Sequence, residues 1–380
     1  MVYFDNNATT PLGQNALQVY RLALEHDWSN PSSPYRSASR VRAKLEQARE
    51  ELASILGFHK DQLIFTSGAT EANNSVFAHV ASNEKKEGQC LLSPFEHPSI
   101  IEPAKYWFKD RLTYMPTDDS GRVDLDRTEQ LLNTENISLV SLMAANNETG
   151  VIQPWQELAK LCLNQGIFFH CDATQWIGKL DSSAFSLCTS FSASAHKFSG
   201  PKGLGWLACK EPIQLQLGGQ QERESRGGTE NYPAIASMLV ALKDAIKDLD
   251  GLIQGAEWRD QFEQSIINAI PETIVLGKES PRLWNTSMIL LPKFNNLSWV
   301  GKLDKRGISV STGSACSAGN VKNTSLVFSM GLSSNEAGRL VRVSSYSDQN
   351  ESDWQNLALA FTDVFKELKD EASRSSVISL

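Results

Sequence analysis

No stretch of this 380-residue chain is apolar for long enough to span a bilayer. Its opening residues, Met1-Val2-Tyr3-Phe4-Asp5-Asn6-Asn7, lack the basic segment and apolar run of a secretory signal. The expected setting is cytoplasmic. Basic blocks are also missing: 36 Lys and Arg stand against 44 Asp and Glu, for a formal net charge of -8. Without clustered cations to neutralise phosphates, direct nucleic-acid binding is not expected, and the partner should be a small molecule or a protein. Cysteine is sparse and scattered at 90, 162, 171, 188, 209 and 316, with no C-x-x-C pair and no regular spacing. That pattern argues against a disulfide framework or a zinc site, and reduced thiols fit the cytosol. No G-x-x-x-x-G-K-[ST] or H-E-x-x-H run occurs, which removes the sequence support for nucleotide hydrolysis and zinc proteolysis. Repeats and low-complexity tracts are absent, and Ser373 to Leu380 is polar enough to fray.

What is present is a large-core composition, 41% hydrophobic, with a regular rhythm. Val41, Leu45, Ala48, Leu52 and Ile55 recur at helical spacing, with Gly57 as the stop. Leu63-Ile64-Phe65 reads as a strand feeding a helix that begins near Gly68-Ala69-Thr70-Glu71. Apolar runs recur at Ile137 to Met143, Gly166 to Cys171 and Phe191 to Ala193, each ending in polar residues. Strands alternating with helices predict an α/β fold, a mostly parallel sheet covered by helices, with ligands beyond the carboxyl ends of the strands. Ala236 to Ile270 reads as helical, and the shorter runs after Pro271 predict a second, smaller lobe. Gly203-x-Gly205-x-x-Ala208 imitates a dinucleotide fingerprint, but Trp206-Leu207-Ala208-Cys209 reads as strand rather than helix.

Two nucleophiles stand out. Cys316 lies in the small-residue run Ser311 to Gly319, and Lys197 follows Ser194-Ala195-His196 after a β-type run, where an amine is placed for Schiff-base formation with an aldehyde cofactor. Either residue alone is ordinary: a lone cysteine is commonly buried filler, and a lone lysine a solvated charge. Pyridoxal phosphate would also need an anion site, a carboxylate at the pyridine nitrogen and ring contacts. Gly68-Ala69-Thr70 at a helix start suits phosphate, although a plain helix cap explains it too. Asp172 closes an apolar run and could pair with the ring nitrogen, with Gln175 near a ring oxygen. A structural turn explains the same aspartate. His97 could stack on the ring and shuttle protons, or be a core histidine. Arg342 has the fork geometry to hold a substrate carboxylate, or could form a surface ion pair.

Read together, the chain resembles the NifS/IscS-type cysteine desulfurases, pyridoxal-phosphate enzymes of the class V aminotransferase family. Ordered matches run through Phe4-Asp5-Asn6-Asn7-Ala8-Thr9-Thr10, Asn30-Pro31-Ser32-Ser33, Gly68-Ala69-Thr70-Glu71-Ala72-Asn73-Asn74, Glu96-His97 and Asn146-Asn147-Glu148-Thr149-Gly150. They continue through Asp172-Ala173-Thr174-Gln175, Gly178-Lys179, His196-Lys197, Gly200-Pro201-Lys202-Gly203, Arg226-Gly227-Gly228-Thr229-Glu230-Asn231 and the Cys316 run. The resemblance spans nearly the whole chain. It implies a fold-type I pyridoxal-phosphate-dependent transferase, with a large cofactor domain at 15–255 and a smaller α+β domain built from 1–14 and 256–380. It further implies a homodimer in which Thr229 reaches the partner's cofactor phosphate.

Carried over by resemblance, Lys197 would hold the cofactor covalently, His97 would stack on its ring, and Asp172 and Gln175 would tune it. Ala69, Thr70, Ser194 and His196 would hold the phosphate. Asn147 and Arg342 would orient L-cysteine, with Asn147 also touching the cofactor. Cys316 would take the substrate sulfur as a persulfide, release L-alanine and pass sulfur to an acceptor, as in iron-sulfur cluster assembly or another transfer pathway. The spacing from Cys316 to Met330-Gly331-Leu332 resembles the longer loop of the Nif/Isc branch. Tyr35 and Ala38 replace the family's usual histidine and glycine, and Tyr346 replaces a glycine near Arg342, which places a bulky ring near the expected carboxylate clamp. Selenocysteine lyase or another carbon-sulfur lyase shares the same cofactor logic, and a sulfur-carrier scaffold is the non-enzymatic alternative.

Overall fold

The computed structural model describes residues 1–82, 88–312 and 330–377, with side chains described as far as residue 374. Its centre is a seven-stranded sheet of β2 (Leu63–Thr66), β3 (Gln89–Leu92), β4 (Leu112–Tyr114), β5 (Ile137–Ser141), β6 (Phe168–Asp172), β7 (Ser190–Ser194) and β8 (Gly205–Cys209), numbered after the short N-terminal β1 (Val2–Tyr3). The spatial order is β2-β8-β7-β6-β5-β3-β4. The β4/β3, β3/β5, β5/β6 and β6/β7 pairs are parallel, and β8 alone runs against both of its neighbours. Every residue of β2, β5, β6, β7 and β8 is buried, as expected of strands covered on both faces.

The covering helices follow from the periodicity. Residues Arg36–Leu56 form a helix that buries Val41, Leu45, Ala48, Leu52 and Leu56 on one face. It ends where Gly57 takes φ 70° and ψ 30°, donating its N–H to the carbonyls of Ala53 and Ser54. A side chain at that left-handed position would cost about 1 kcal/mol. Beneath this helix Trp155 stacks on Phe185 with centroids 4.4 Å apart, and Phe185 stacks on Phe191 at 4.7 Å. Each such buried ring contributes roughly 2–3 kcal/mol by removal from water. The run Gly205–Cys209 is strand, as its apolar sequence predicts.

A three-stranded antiparallel sheet of β9 (Ile274–Val275), β10 (Thr286–Leu290) and β12 (Leu340–Ser344) has the order β12-β10-β9, and β1 pairs in parallel with β11 (Ile308–Ser309). Phe4, Phe262, Trp299, Trp354 and Phe361 pack around these strands in a second core. The N-terminal strand is thus tied to residues 308–309 and, through the Asp5–Ser344 bridge, to the end of β12. Of the polar end segment expected to fray, Ser373 to Val377 instead continue the helix Glu351–Val377, and residues 378–380 lie outside those described. Apolar residues such as Leu357, Phe361, Val364 and Leu368 seat that helix on the second core, and their packing outweighs the polarity of its last turns.

Candidate active site

Parallel strands deliver polar loops to one edge of the large sheet, and the site lies there. A cavity of about 400 Å³ is lined by Asn7, Ala8, Ala69, Thr70, His97, Ser99, Met143, Ala145, Asn147, Asp172, Thr174, Gln175, Ser194, His196, Lys197 and Arg342. Most of these follow directly on the carboxyl ends of β2, β3, β5, β6 and β7, as ligand sites of such sheets do. Arg342 comes from β12 of the other sheet, and Asn7 and Ala8 from the segment after β1, so the cavity lies between the two cores.

Lys197 donates from Nζ to the main-chain oxygens of Asn7, at 2.6 Å, and Ala8, at 2.8 Å. Burial and then the Arg342 charge push its pKa down to about 8, against the opposing pull of Asp172 and Asp5. The amine is therefore neutral in a useful fraction near physiological pH, the state in which it can attack a carbonyl. Asp172 is nearly buried at the end of β6. Its Oδ2 accepts from Asn73 Nδ2 at 3.0 Å and its Oδ1 from the Thr174 N–H at 2.9 Å. Behind it, Asn73 Oδ1 accepts from Ser192 Oγ at 2.5 Å and lies 3.0 Å from His170 Nε2. Burial drives the His170 pKa down to about 4, which keeps that ring neutral.

His97 caps the helix Pro98–Phe108. Its Nδ1 accepts the Ser99 N–H at 3.1 Å and lies 2.8 Å from Ser99 Oγ, so in the neutral ring the proton resides on Nε2. Burial first, and then Lys197, lower its pKa, opposed by Asp172. Neighbouring Glu96 is buried, accepts from the Met143 N–H at 2.5 Å and has its pKa raised well above the ordinary carboxyl value, chiefly by burial.

The anion corner is formed where β2 turns into the helix Ala69–Ser82. Gly68 takes φ 151°, and a side chain on Gly205 would come within 2.7 Å of the Gly68 Cα, so two glycines allow the strand and the turn to touch. Ser194 Oγ accepts from the Ala69 N–H at 2.8 Å. His196 lies 3.1 Å from Thr9 Oγ1, and burial, then Lys197 and Lys202, push its pKa down to about 4. The first-turn amides of the Ala69–Ser82 helix provide donors and a favourable dipole for a phosphate.

Arg342 is buried rather than part of a surface ion pair. Its Nη2 contacts Asp5 Oδ1 at 2.6 Å and its Nη1 donates to the Asn147 carbonyl at 3.1 Å. Arg342 and Thr174 both line the cavity, and Arg342 Nε and Thr174 Oγ1 are buried without a hydrogen-bond partner. An amine with a lowered pKa, a buried carboxylate, an anion corner and unpaired polar atoms around a volume of this size fit pyridoxal phosphate together with a small amino acid.

The cavity therefore gathers Lys197, His97, Ala69, Thr70, Asn147, Asp172, Gln175, Ser194, His196 and Arg342. Thr229 is exposed and does not line it, and Cys316 lies outside the described residues. Tyr346 does not crowd the clamp: its ring is buried, stacks on Trp284 and donates from its hydroxyl to the Gly178 carbonyl at 3.0 Å. Ala38 is buried inside the Arg36–Leu56 helix and Tyr35 is exposed at its cap, and neither lines the cavity. The sequence reading missed Asp5, Asn7, Ser99 and Thr174 as wall or clamp residues. The polar run Asp5-Asn6-Asn7 between Phe4 and Ala8 carried a usable signal, since adjacent polar residues that become buried must be bonded.

Comparison with known proteins is consistent with this geometry. Residues 2–357 match the aminotransferase class-V family. The chain is 37% identical over 329 residues to the cysteine desulfurase IscS of Dictyoglomus turgidum, covering 84% of this chain and 83% of that one. It is 33% identical over 380 residues to a cysteine desulfurase of Sinorhizobium fredii, covering 97% of each. A solved NifS-like protein superimposes with a TM-score of 0.88 at 31% identity, over 96% of this chain and 99% of the other.

Proposed function

The chain belongs to the class-V aminotransferase family and is a pyridoxal-phosphate-dependent cysteine desulfurase, and from that premise we propose how its own residues divide the work. Lys197 would be the covalent anchor and proton carrier, and the observation that carries this assignment is its amine, aimed by the Asn7 and Ala8 carbonyls, with its pKa lowered to about 8 chiefly by burial. The bound cofactor supplies an electron-poor ring that accommodates the charge left when the carbon-sulfur bond of L-cysteine breaks.

Ala69, Thr70, Ser194 and His196 would hold the phosphate, the helix start supplying amides and the dipole. Asp172, fixed by Asn73 and the Thr174 amide, would pair with the pyridine nitrogen, and Gln175 would serve the ring oxygen. His97 would lie against the ring, with its Nε2 proton available to the substrate side. The Arg342 guanidinium, braced by Asp5 and the Asn147 carbonyl, uses its remaining N–H groups to orient the substrate carboxylate, with the Asn147 side chain beside it. Cys316 attacks the substrate sulfur, keeps it as a persulfide and leaves L-alanine as the product.

We assign the cofactor domain to 15–255 and the smaller domain to 1–14 and 256–380. Homodimerisation with Thr229 contributed across the interface, a cytoplasmic setting and delivery of sulfur to a protein acceptor in iron-sulfur assembly or a related pathway complete the reading. The exposed position of Thr229, outside the cavity wall of its own chain, supports a role in trans. Among the described residues no helix is long and apolar enough to cross a membrane. The deciding experiment incubates the cofactor-loaded protein with L-cysteine and a reductant and measures alanine and sulfide together. Equal amounts are expected. Pyruvate and ammonia in place of alanine would make the protein an eliminating lyase.

A further inference from the structure

One buried lysine beside the cavity has no part in the chemistry above. Lys179 is completely buried, and its Nζ donates to Gln175 Oε1 at 2.6 Å and to Asn7 Oδ1 at 2.9 Å. Gln175 and Asn7 line the cavity and Lys179 does not. Among the described residues no carboxylate forms an ion pair with it, and its charged neighbours are the Lys197 and Arg342 cations. Burial, reinforced by those two cations, pushes its pKa well below that of an ordinary lysine and favours the neutral amine. A neutral amine has two N–H bonds, and two acceptors meet them.

The backbone beneath this side chain is held unusually firmly. Trp284 Nε1 donates to the Lys179 carbonyl at 3.0 Å, and the Tyr346 hydroxyl donates to the Gly178 carbonyl at 3.0 Å. Gly178 takes φ 75°, and a side chain there would meet Phe198 Cβ at 2.4 Å, next in sequence to Lys197. On the cavity side, an amide has unlike ends, so what touches one end dictates what the other presents. With Gln175 Oε1 turned to Lys179, Nε2 donates to the Asn7 carbonyl at 3.1 Å, the same oxygen that accepts from Lys197. With Asn7 Oδ1 on Lys179 and Asn285 Nδ2, its own Nδ2 donates to Thr286 Oγ1 at 2.8 Å and to the Asn147 carbonyl at 3.2 Å.

We propose that Lys179 is a positioning residue whose amine, donating to Gln175 Oε1 and Asn7 Oδ1, sets the orientation of both amides, and thereby which hydrogen-bond donors the cavity wall presents to the bound cofactor. This rests on the reading of the cavity as a pyridoxal-phosphate site. A Gln175 amide rotated by half a turn would set its oxygen against the Asn7 carbonyl and leave one Lys179 N–H without an acceptor, so the orientation is enforced from behind the wall.

The test uses full-length Lys179→Met and Lys179→Gln, each alone and combined with Gln175→Ala, loaded with pyridoxal phosphate. The readouts are the absorption band of the bound cofactor, the pH midpoint at which it changes, cofactor retention, and kcat and KM for L-cysteine. Lys179→Met should displace the pH midpoint, weaken cofactor retention by about tenfold and lower kcat more than it alters KM. In the Gln175→Ala background the same change should add less than about twofold, because its route of action has gone. Lys179→Gln keeps a neutral pair of N–H donors and should leave the band in place. An unmoved band and midpoint in Lys179→Met, or equal displacement in both backgrounds, overturns the proposal. If Lys179→Met does not fold, a Lys179→Gln band displaced as far as that of Gln175→Ala overturns it equally. Failure of the unsubstituted protein to take up the cofactor would instead overturn the reading of the cavity, and this proposal with it.

Discussion

Lys197 donates to the carbonyl of Asn7 across 2.6 Å, which joins the loop after β7 to a segment 190 positions away at the other end of the chain. That contact places the amine between the two cores and fixes its direction. A carbonyl accepts from either protonation state, so it orients the amine without holding it charged, as a carboxylate would. The depressed pKa and the aim of Lys197 therefore have separate sources: burial with Arg342 for the first, and Asn7 with Ala8 for the second.

The rate at which cofactor-free protein captures pyridoxal phosphate should rise with pH and level off above about 8. Below that value the ammonium predominates, and each pH unit removes about nine-tenths of the reactive amine. Stopped-flow absorbance of the apo-protein across pH 6 to 9 measures the midpoint, and a flat profile would refute the assignment. Lys197→Ala should show no mass addition after borohydride treatment and should turn over about 10²- to 10⁴-fold more slowly.

Arg342→Lys should raise KM for L-cysteine by about ten- to hundredfold, the equivalent of one or two charge-assisted hydrogen bonds, with a smaller change in kcat. A lysine cannot contact Asp5, the Asn147 carbonyl and a carboxylate in one planar fork. Steady-state kinetics on the loaded variant decides this, and an unchanged KM would remove Arg342 from the substrate clamp.

The sequence made the cavity floor legible because its signals are local. A strand passes into a polar turn or the start of a helix within a few residues at Thr66 to Thr70, Asp172 to Gln175 and Ser194 to Lys197, and a parallel sheet collects such ends on one side. What connects those turns was not legible. Asp5 and Arg342 are 337 positions apart, and Arg49 and Glu222 are 173 apart; no spacing rule joins such pairs. Tyr346 shows the reverse error, where adjacency to Arg342 suggested proximity to substrate. Strand β12 ends at Ser344, so strand alternation does not carry the Arg342 face on to Tyr346, and this ring entered the core beside Trp284.

Acid should weaken the fold partly through His170. Its folded pKa of about 4 lies below the ordinary histidine value, so between pH 6.5 and 4 the unfolded chain binds the extra proton. The stability associated with its neutral ring is complete above about pH 6.5 and is lost as pH falls towards 4, with a slope of up to about 1.4 kcal/mol per pH unit. His170→Asn should unfold at lower denaturant concentration at pH 7 and show a shallower decline on acidification. Equal slopes for the two proteins in urea titrations would show that His170 titrates alike in both states.

Glu222 tests the cost of the most enclosed ion pair. Its carboxylate contacts Arg49 at 2.6 and 2.9 Å and accepts the Phe65 N–H at 2.9 Å, within the strand that leads to the anion corner. It does so from a left-handed backbone at φ 47°, followed by Arg223 at 54° and Glu224 at 67°, an unfavourable run for residues with side chains. Both partners are about 2% exposed at the side chain, so Glu222→Gln leaves the buried guanidinium with only the part-exposed Glu46 carboxylate, 3.2 Å from its Nε. The expected loss is about 3–5 kcal/mol, and Arg49→Met combined with Glu222→Leu should recover much of it by removing both charges. Chemical denaturation of the three proteins measures this. A Glu222→Gln variant as stable as the parent would mean that the pair contributes only its shape, and that the left-handed run is held by other contacts.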